Sequence, residues 1–83
     1  MDWEPIKGFV PQYFMGVAVF VWMRDIRFDA AYPDMGRVIK NPAQYELAIG
    51  NEPPRFVKSK NGVWTDGYRV ITHYIEIQEP ADA

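Results

Sequence analysis

Residues 16–28, GVAVFVWMRDIRF, decide how the chain is read. Up to Met23 this stretch is apolar on both sides of an extended backbone. Val17, Val19, Val21 and Met23 project one way, and Ala18, Phe20 and Trp22 the other. Successive side chains of a strand point to opposite faces, so a strand with one wet face alternates apolar with polar residues. Alternation returns only at Arg24 and Asp25. The β-branched and aromatic content favours strand over helix. The stretch therefore reads as a central strand, either covered on both sides or covered on one side and joined to a partner on the other.

A chain of 83 residues makes a single small domain, residues 1–83. Such a chain buries only about 60 to 65% of the surface that its unfolded form exposes. Three Trp, five Tyr and five Phe supply a compact core without staples; a homodimer is the other route to covering so much apolar surface. The absence of cysteine removes disulfides, thiolate nucleophiles and cysteine-bound metals, and agrees with a reducing compartment. Net charge is −2, with neither a polybasic run nor an acidic block, so no direct nucleic-acid contact is expected. The longest apolar run, Phe14 to Met23, is too short to span a bilayer as a helix, which needs about 20 residues. No basic region precedes it as in a secretory signal. The expectation is a protein of the cytoplasm with no membrane contact.

Outward from the central stretch, Trp3 and Ile6 dock the N-terminus, Lys7 to Gln12 form a loop, and the strand runs from Tyr13 to Phe28. Ala30 to Gly36 reads as a turn or loop around Pro33, Asp34 and Gly36. Arg37 to Lys40 is a short extended piece. Asn41-Pro42-Ala43-Gln44 carries helix-start chemistry: Asn41 at the N-cap, Pro42 at the first helical position and Gln44 in the capping box. Tyr45 to Ile49 continue the helix, and Gly50 suits the position after it. A structured loop is the alternative. Arg55 to Lys60 reads as an exposed strand. Asn61-Gly62 and Asp66-Gly67 are both hairpin signals, only three residues apart, so one of them is a looser loop. Tyr68 to Ile77 is the second good strand. Ile71, His73, Ile75 and Ile77 share its core face, and Tyr68, Val70, Thr72, Tyr74 and Glu76 a half-wet face. Pairing this strand with residues 16–28 joins the two longest strands. The expected fold is α+β and mainly β, an antiparallel sheet of three to five strands with one short helix.

The C-terminal part resembles a family. Asn61-Gly62-Val63-Trp64, Val70-Ile71-Thr72-His73-Tyr74-Ile75 and Gln78-Glu79-Pro80 are similar to a small phage and prophage domain of unknown function. Trp3-Glu4-Pro5-Ile6 fits its opening, and Val17 to Val21 its Val-rich middle strand. Tyr74 and Ile75-Glu76-Ile77 depart from the family pattern, and Asp29 to Pro54 has no counterpart in it. The resemblance covers roughly half of the chain by short motifs. It implies a phage or mobile-element origin and carries over no activity, cofactor or site.

The residues themselves offer little catalytic chemistry. His73 is the sole histidine. As a base it needs a nucleophile and an orienting acid, and nothing links Ser59, the sole serine, to it. As a metal ligand it needs companions from Asp or Glu alone. The plainer reading is a histidine that bonds a carbonyl or a carboxylate. Asp25, Asp29, Asp34, Glu46, Glu52, Asp66 and Glu76 are scattered without a shared spacing, and the glycines form no phosphate loop. No enzyme, metal or cofactor is expected. Arginines and aromatics are the candidate binding residues: Arg24 and Arg27 after the central strand, Arg55 and Arg69 flanking the hairpin region, with Trp64, Tyr68 and Tyr74. Such residues dominate interfaces and also suit stacked, phosphate-bearing nucleotides; an ordinary solvated strand face is the bland alternative. The leading expectation is a binding protein that blocks a host protein, for instance a component of an antiviral defence system such as a CRISPR effector. A domain that sequesters a signalling nucleotide, and an orphan structural or regulatory phage protein, are the alternatives.

Overall fold

A computed structural model describes residues 2–59 and 61–77. Seven strands form one antiparallel sheet: β1 (Glu4–Pro5), β2 (Ala18–Asp25), β3 (Ala30–Asn41), β4 (Gln44–Ile49), β5 (Phe56–Lys58), β6 (Trp64–Thr65) and β7 (Arg69–Glu76). Each strand from β2 to β7 pairs with the next, and β7 returns to β2. The result is a closed up-and-down barrel of six strands, with β1 as an extra strand on β7. Closure removes the unpaired edges of an open sheet. The α+β expectation of a three- to five-strand sheet with a helix is therefore wrong. Among the described residues the only helical pieces are two 3₁₀ turns, Ile6–Gly8 and Pro11–Phe14.

The expected helix after Asn41 is strand β4. Asn41 pairs with Gln44 across a two-residue turn of Pro42 and Ala43, and the Asn41 Oδ1 accepts the Ala43 N–H at 3.2 Å. Asn followed by Pro suits a turn as well as it suits a helix start, because both need a side-chain acceptor and then a φ near −65°. Register settles the matter. Tyr45, Leu47 and Ile49 alternate inward and match Lys40, Val38 and Gly36 of β3. The stretch read as a loop, Ala30 to Gly36, is the first half of β3. Pro33 lies there opposite Trp22, and Gly36 sits in the wall between Val19 and Ile49. The expected long strand begins only at Ala18, since Pro11–Phe14 is a 3₁₀ turn.

The pairing of residues 16–28 with the C-terminal strand is present, from Val19 opposite Glu76 to Asp25 opposite Arg69. Its faces differ from the expectation. Trp22 opposes His73 and Met23 opposes Ile71, which leaves Thr72 as an extra residue. Such a bulge reverses which side chains face inward beyond it. Ile71 therefore points into the barrel at 1% exposure, whereas Tyr74, not His73 or Ile75, continues the inner row. The Thr72 hydroxyl bonds the Trp22 carbonyl at 3.3 Å and lies 2.8 Å from His73 Nδ1.

Asn61-Gly62 and Asp66-Gly67 both close turns, because β6 between them is only two residues long. The Gly62 N–H donates to the Ser59 carbonyl at 3.0 Å. Gly67 has φ +102°, a conformation that glycine adopts without steric cost.

Val19, Val21, Met23, Val38, Leu47, Ile49, Phe56, Trp64 and Ile71 fill the barrel, all at 4% exposure or less. Full burial of one such side chain contributes about 1.5 to 3 kcal/mol. One mouth is stoppered by aromatics from the 3₁₀ turns and the connections beside them. Phe9 stacks on Phe14 at 4.6 Å and meets Trp64 and Tyr74 edge-on at 5.6 and 5.1 Å. The opposite mouth is closed by charge.

Candidate functional site

The charged mouth begins with Asp25 and Arg69, which oppose each other at the end of the β2–β7 pair. Asp25 is 3% exposed. Its carboxylate accepts the Arg27 backbone N–H at 2.9 Å and the guanidinium at 3.2 and 2.9 Å. The side-chain bonds from Arg27 hold Asp25 below the ordinary carboxylate range, against burial, which works the other way. Arg69 turns its guanidinium over the Phe56 ring at 5.0 Å and bonds Asp66 at 2.7 and 2.9 Å and Glu52 at 2.8 and 3.2 Å. Asp66 in turn accepts the backbone N–H groups of Tyr68 and Arg69. The bonds that Arg69 donates to Glu52, and then those to Asp66, push its pKa up, although burial opposes them. Hydrogen bonding to Arg69 lowers Glu52. Asp66 is also lowered: burial would raise it, but the backbone and side-chain bonds from Arg69 and Tyr68 together outweigh burial.

On this ionic plug stands an apolar tip. Ile26, Phe28 and Tyr68 are 63%, 72% and 56% exposed and come from two neighbouring turns. The Ile26 N–H donates to the Tyr68 carbonyl at 3.0 Å, tying those turns together. The Arg27 guanidinium lies 4.7 Å from the Tyr68 ring centre and 5.2 Å from that of Phe28. A guanidinium pinned on Asp25 therefore props both rings. Asp29, at φ 48°, lets the β2–β3 turn close so tightly, since Asp tolerates the left-handed region.

The structure brings five of the seven candidate binding residues to this mouth or its rim. Tyr68 and Arg27 reach solvent. Arg69 is a buried tie, its side chain 12% exposed. Arg24 lies on the outer side of β2 and pairs with Asp29. Arg55 is exposed on the connection that also carries Glu52. Trp64 and Tyr74 lie elsewhere. Trp64 is 1% exposed inside the barrel. Tyr74 packs at the aromatic mouth on Phe9 and Phe14, its hydroxyl 3.4 Å from the Gly8 carbonyl. Burial raises the Tyr74 pKa, with Glu4 and Glu76 adding to it. Ile26 and Phe28 were not among the candidates because the strand was expected to run on to Phe28, whereas β2 ends at Asp25 and both lie in the turn after it. The available signal was two large apolar residues framed by Asp25 and Asp29 in a turn.

A second surface lies on the outer wall of β7, β2 and β3. Phe20 sits between Ile75 and Met35, and Trp22 between His73 and Pro33. Trp3, from the chain entering β1, meets Trp22 edge-on at 5.7 Å. An open cleft of about 240 Å³ lies among Trp3, Trp22 and His73, and one of about 390 Å³ among Trp3, Phe20, Pro33 and Ile75. This wall is the second apolar face of the opening stretch. His73 belongs to it, with the Thr72 hydroxyl as its bonding partner.

Among the described residues no helix is long and apolar enough to cross a membrane. Compared with known protein families, curated proteins and solved structures, the chain matches none of them.

Proposed function

We propose that the protein is a non-enzymatic binding module that captures a protein partner with the Ile26–Phe28–Tyr68 tip. The observation that carries this reading is the exposure of three large apolar side chains on a base fixed by ion pairs. Exposed aromatics held rigid around an arginine give large contact area at low entropic cost and supply most binding energy at interfaces. A nucleotide trap has less support. Arg24, Arg27 and Arg69, the groups it would need for phosphate, already hold Asp29, Asp25, Asp66 and Glu52. The resemblance to a phage domain makes a host protein, such as a defence component, the partner class to test first.

The test places a photo-crosslinking phenylalanine at position 28 and, as a control, at the exposed Tyr13 near the other mouth. A defined host protein should be captured from position 28 alone. Tyr68→Ser should then weaken that complex by about 2 kcal/mol or more, as hot-spot residues do, with the melting temperature nearly unchanged. Equal capture from both positions, or full affinity in Tyr68→Ser, would sink the proposal.

A further inference from the structure

Among the described residues, three aromatic side chains line the cleft of about 240 Å³ on the outer wall: Trp3, Trp22 and His73. We propose that this cleft binds the dimethylated side chain of a lysine in a peptide. Backbone pairing fixes the three rings. Trp22 on β2 lies opposite His73 on β7. β1 joins β7 with Pro5 opposite His73, which brings Trp3 edge-on to Trp22 at 5.7 Å, the ring planes 65° apart. The bulge at Thr72 is what turns His73 to this side. Two indoles at such an angle form a corner, and their π faces attract an ammonium group, the more so as it loses water. Among the described residues, arginine or lysine heads lie over Phe28, Tyr68, Tyr45 and Phe56, and none lies over Trp3 or Trp22. Arg24, two residues on from Trp22, is held by Asp29.

His73 sets which cation fits. The Thr72 hydroxyl has a single proton, and it goes to the Trp22 carbonyl at 3.3 Å, which can only accept. In the 2.8 Å contact between Thr72 Oγ1 and His73 Nδ1 the imidazole N–H is therefore the donor. The other nitrogen of the neutral ring, Nε2, is then an acceptor. Among the described residues no side-chain nitrogen or oxygen is both buried and unpaired, so Nε2, which has no partner there, reaches solvent. A corner of two π faces beside one acceptor matches a dimethylammonium group: a methyl for each indole and the remaining N–H for Nε2. The lysine stem has a place as well. The cleft of about 390 Å³ among Trp3, Phe20, Pro33 and Ile75 shares Trp3 with the first, and hydrocarbon stems bury along such apolar surface. An unmodified lysine head holds its water more strongly, and an acetylated one carries no charge.

The test uses a short alanine-rich peptide with a single lysine, prepared unmodified, dimethylated, trimethylated and acetylated. Heteronuclear NMR of the whole chain follows the indole N–H signals of its three tryptophans. Trp64, 1% exposed inside the barrel, is the internal reference for folding. The dimethylated peptide should bind most tightly and shift the Trp3 and Trp22 signals while Trp64 stays in place. The acetylated peptide should bind about tenfold more weakly. Trp3→Leu changes a side chain that is 38% exposed and should cost the dimethylated peptide about tenfold in affinity. His73→Leu removes the acceptor and should abolish the preference for two methyl groups over three, with the trimethylated peptide bound as before. The peptide series on the wild-type chain decides the proposal without either variant. Trp3 and Trp22 signals that stay still with the dimethylated peptide overturn it. Equal binding of the acetylated peptide overturns it too, since the cleft would then recognise apolar surface and no charge. A trimethylated peptide bound as tightly as the dimethylated one refutes the part given to His73 and with it the dimethylated state. Free dimethylammonium bound as tightly as the peptide overturns the assignment to lysine. The site stands apart from the tip, so loss of crosslinking from position 28 leaves these outcomes untouched.

Discussion

Gly36→Ala tests how the barrel closes. Gly36 faces inward between Val19 and Ile49. A Cβ added there would lie 2.9 Å from Ile49 Cδ1 and 3.2 Å from the Ala48 carbonyl oxygen. Carbon atoms rest about 3.5 to 4.0 Å apart, so the overlap with Ile49 is roughly 0.6 Å or more. Ile49 is 2% exposed and has little room to turn in a close-packed interior. Overpacking of this kind costs about 1 to 3 kcal/mol. The entropy that glycine loses on folding offsets about 0.4 to 1 kcal/mol of that. The net loss is about 1 to 2 kcal/mol, a fall of some 5 to 15 °C in melting temperature for a domain of this size. Ile49→Val removes the clashing methyl and by itself costs about 0.5 to 1.5 kcal/mol. In the double variant the two losses should fall short of their sum by about 1 kcal/mol, since the second change relieves the first. Thermal and urea unfolding of all four proteins measure this coupling. Strict additivity, or a Gly36→Ala protein as stable as wild type, would refute the reading of Gly36 as the point where the wall needs a missing side chain.

Two further outcomes test the mouths. Trp64→Ala should cost about 3 to 5 kcal/mol in denaturant unfolding, the range for a fully buried large aromatic, while Tyr74→Phe, which loses only a long hydroxyl contact, should cost less than about 1 kcal/mol; the reverse order would misplace both residues. At the charged mouth Asp25, Glu52 and Asp66 all titrate below their ordinary values of 3.8, 4.5 and 3.8. A carboxylate depressed in the folded state contributes stability above its unfolded pKa and loses it as pH falls through the folded value. The melting temperature should therefore hold near neutrality and fall below about pH 4.5, more shallowly in Arg69→Met; a flat profile down to about pH 3 would deny these carboxylates their role.

The residues by themselves determined that the chain is rich in strands and that two of them dominate. β-branched and aromatic runs from Val17 to Met23 and from Tyr68 to Ile77 point to strands by local stereochemistry, and their apolar faces select each other as neighbours. Turn chemistry at Asn61-Gly62 and Asp66-Gly67 was equally legible, because a positive φ is a property of one residue. Three features belonged to the tertiary structure. Asn41-Pro42 fits a helix start and a β-turn alike, and only the register of β4 against β3, which drives Leu47 and Ile49 into the barrel, chose the turn. The bulge at Thr72 inverted the faces of β7 and sent Tyr74 inward and His73 outward, an exchange that no alternation pattern shows, because one unpaired residue shifts every later side chain. Arg69 became a tie and not a contact residue because Glu52, 17 positions away, and Asp66 reach it only once the barrel has closed. Burial and ion pairing arise between segments distant in sequence, so residue type alone cannot separate an arginine that seals a mouth from one that meets a partner.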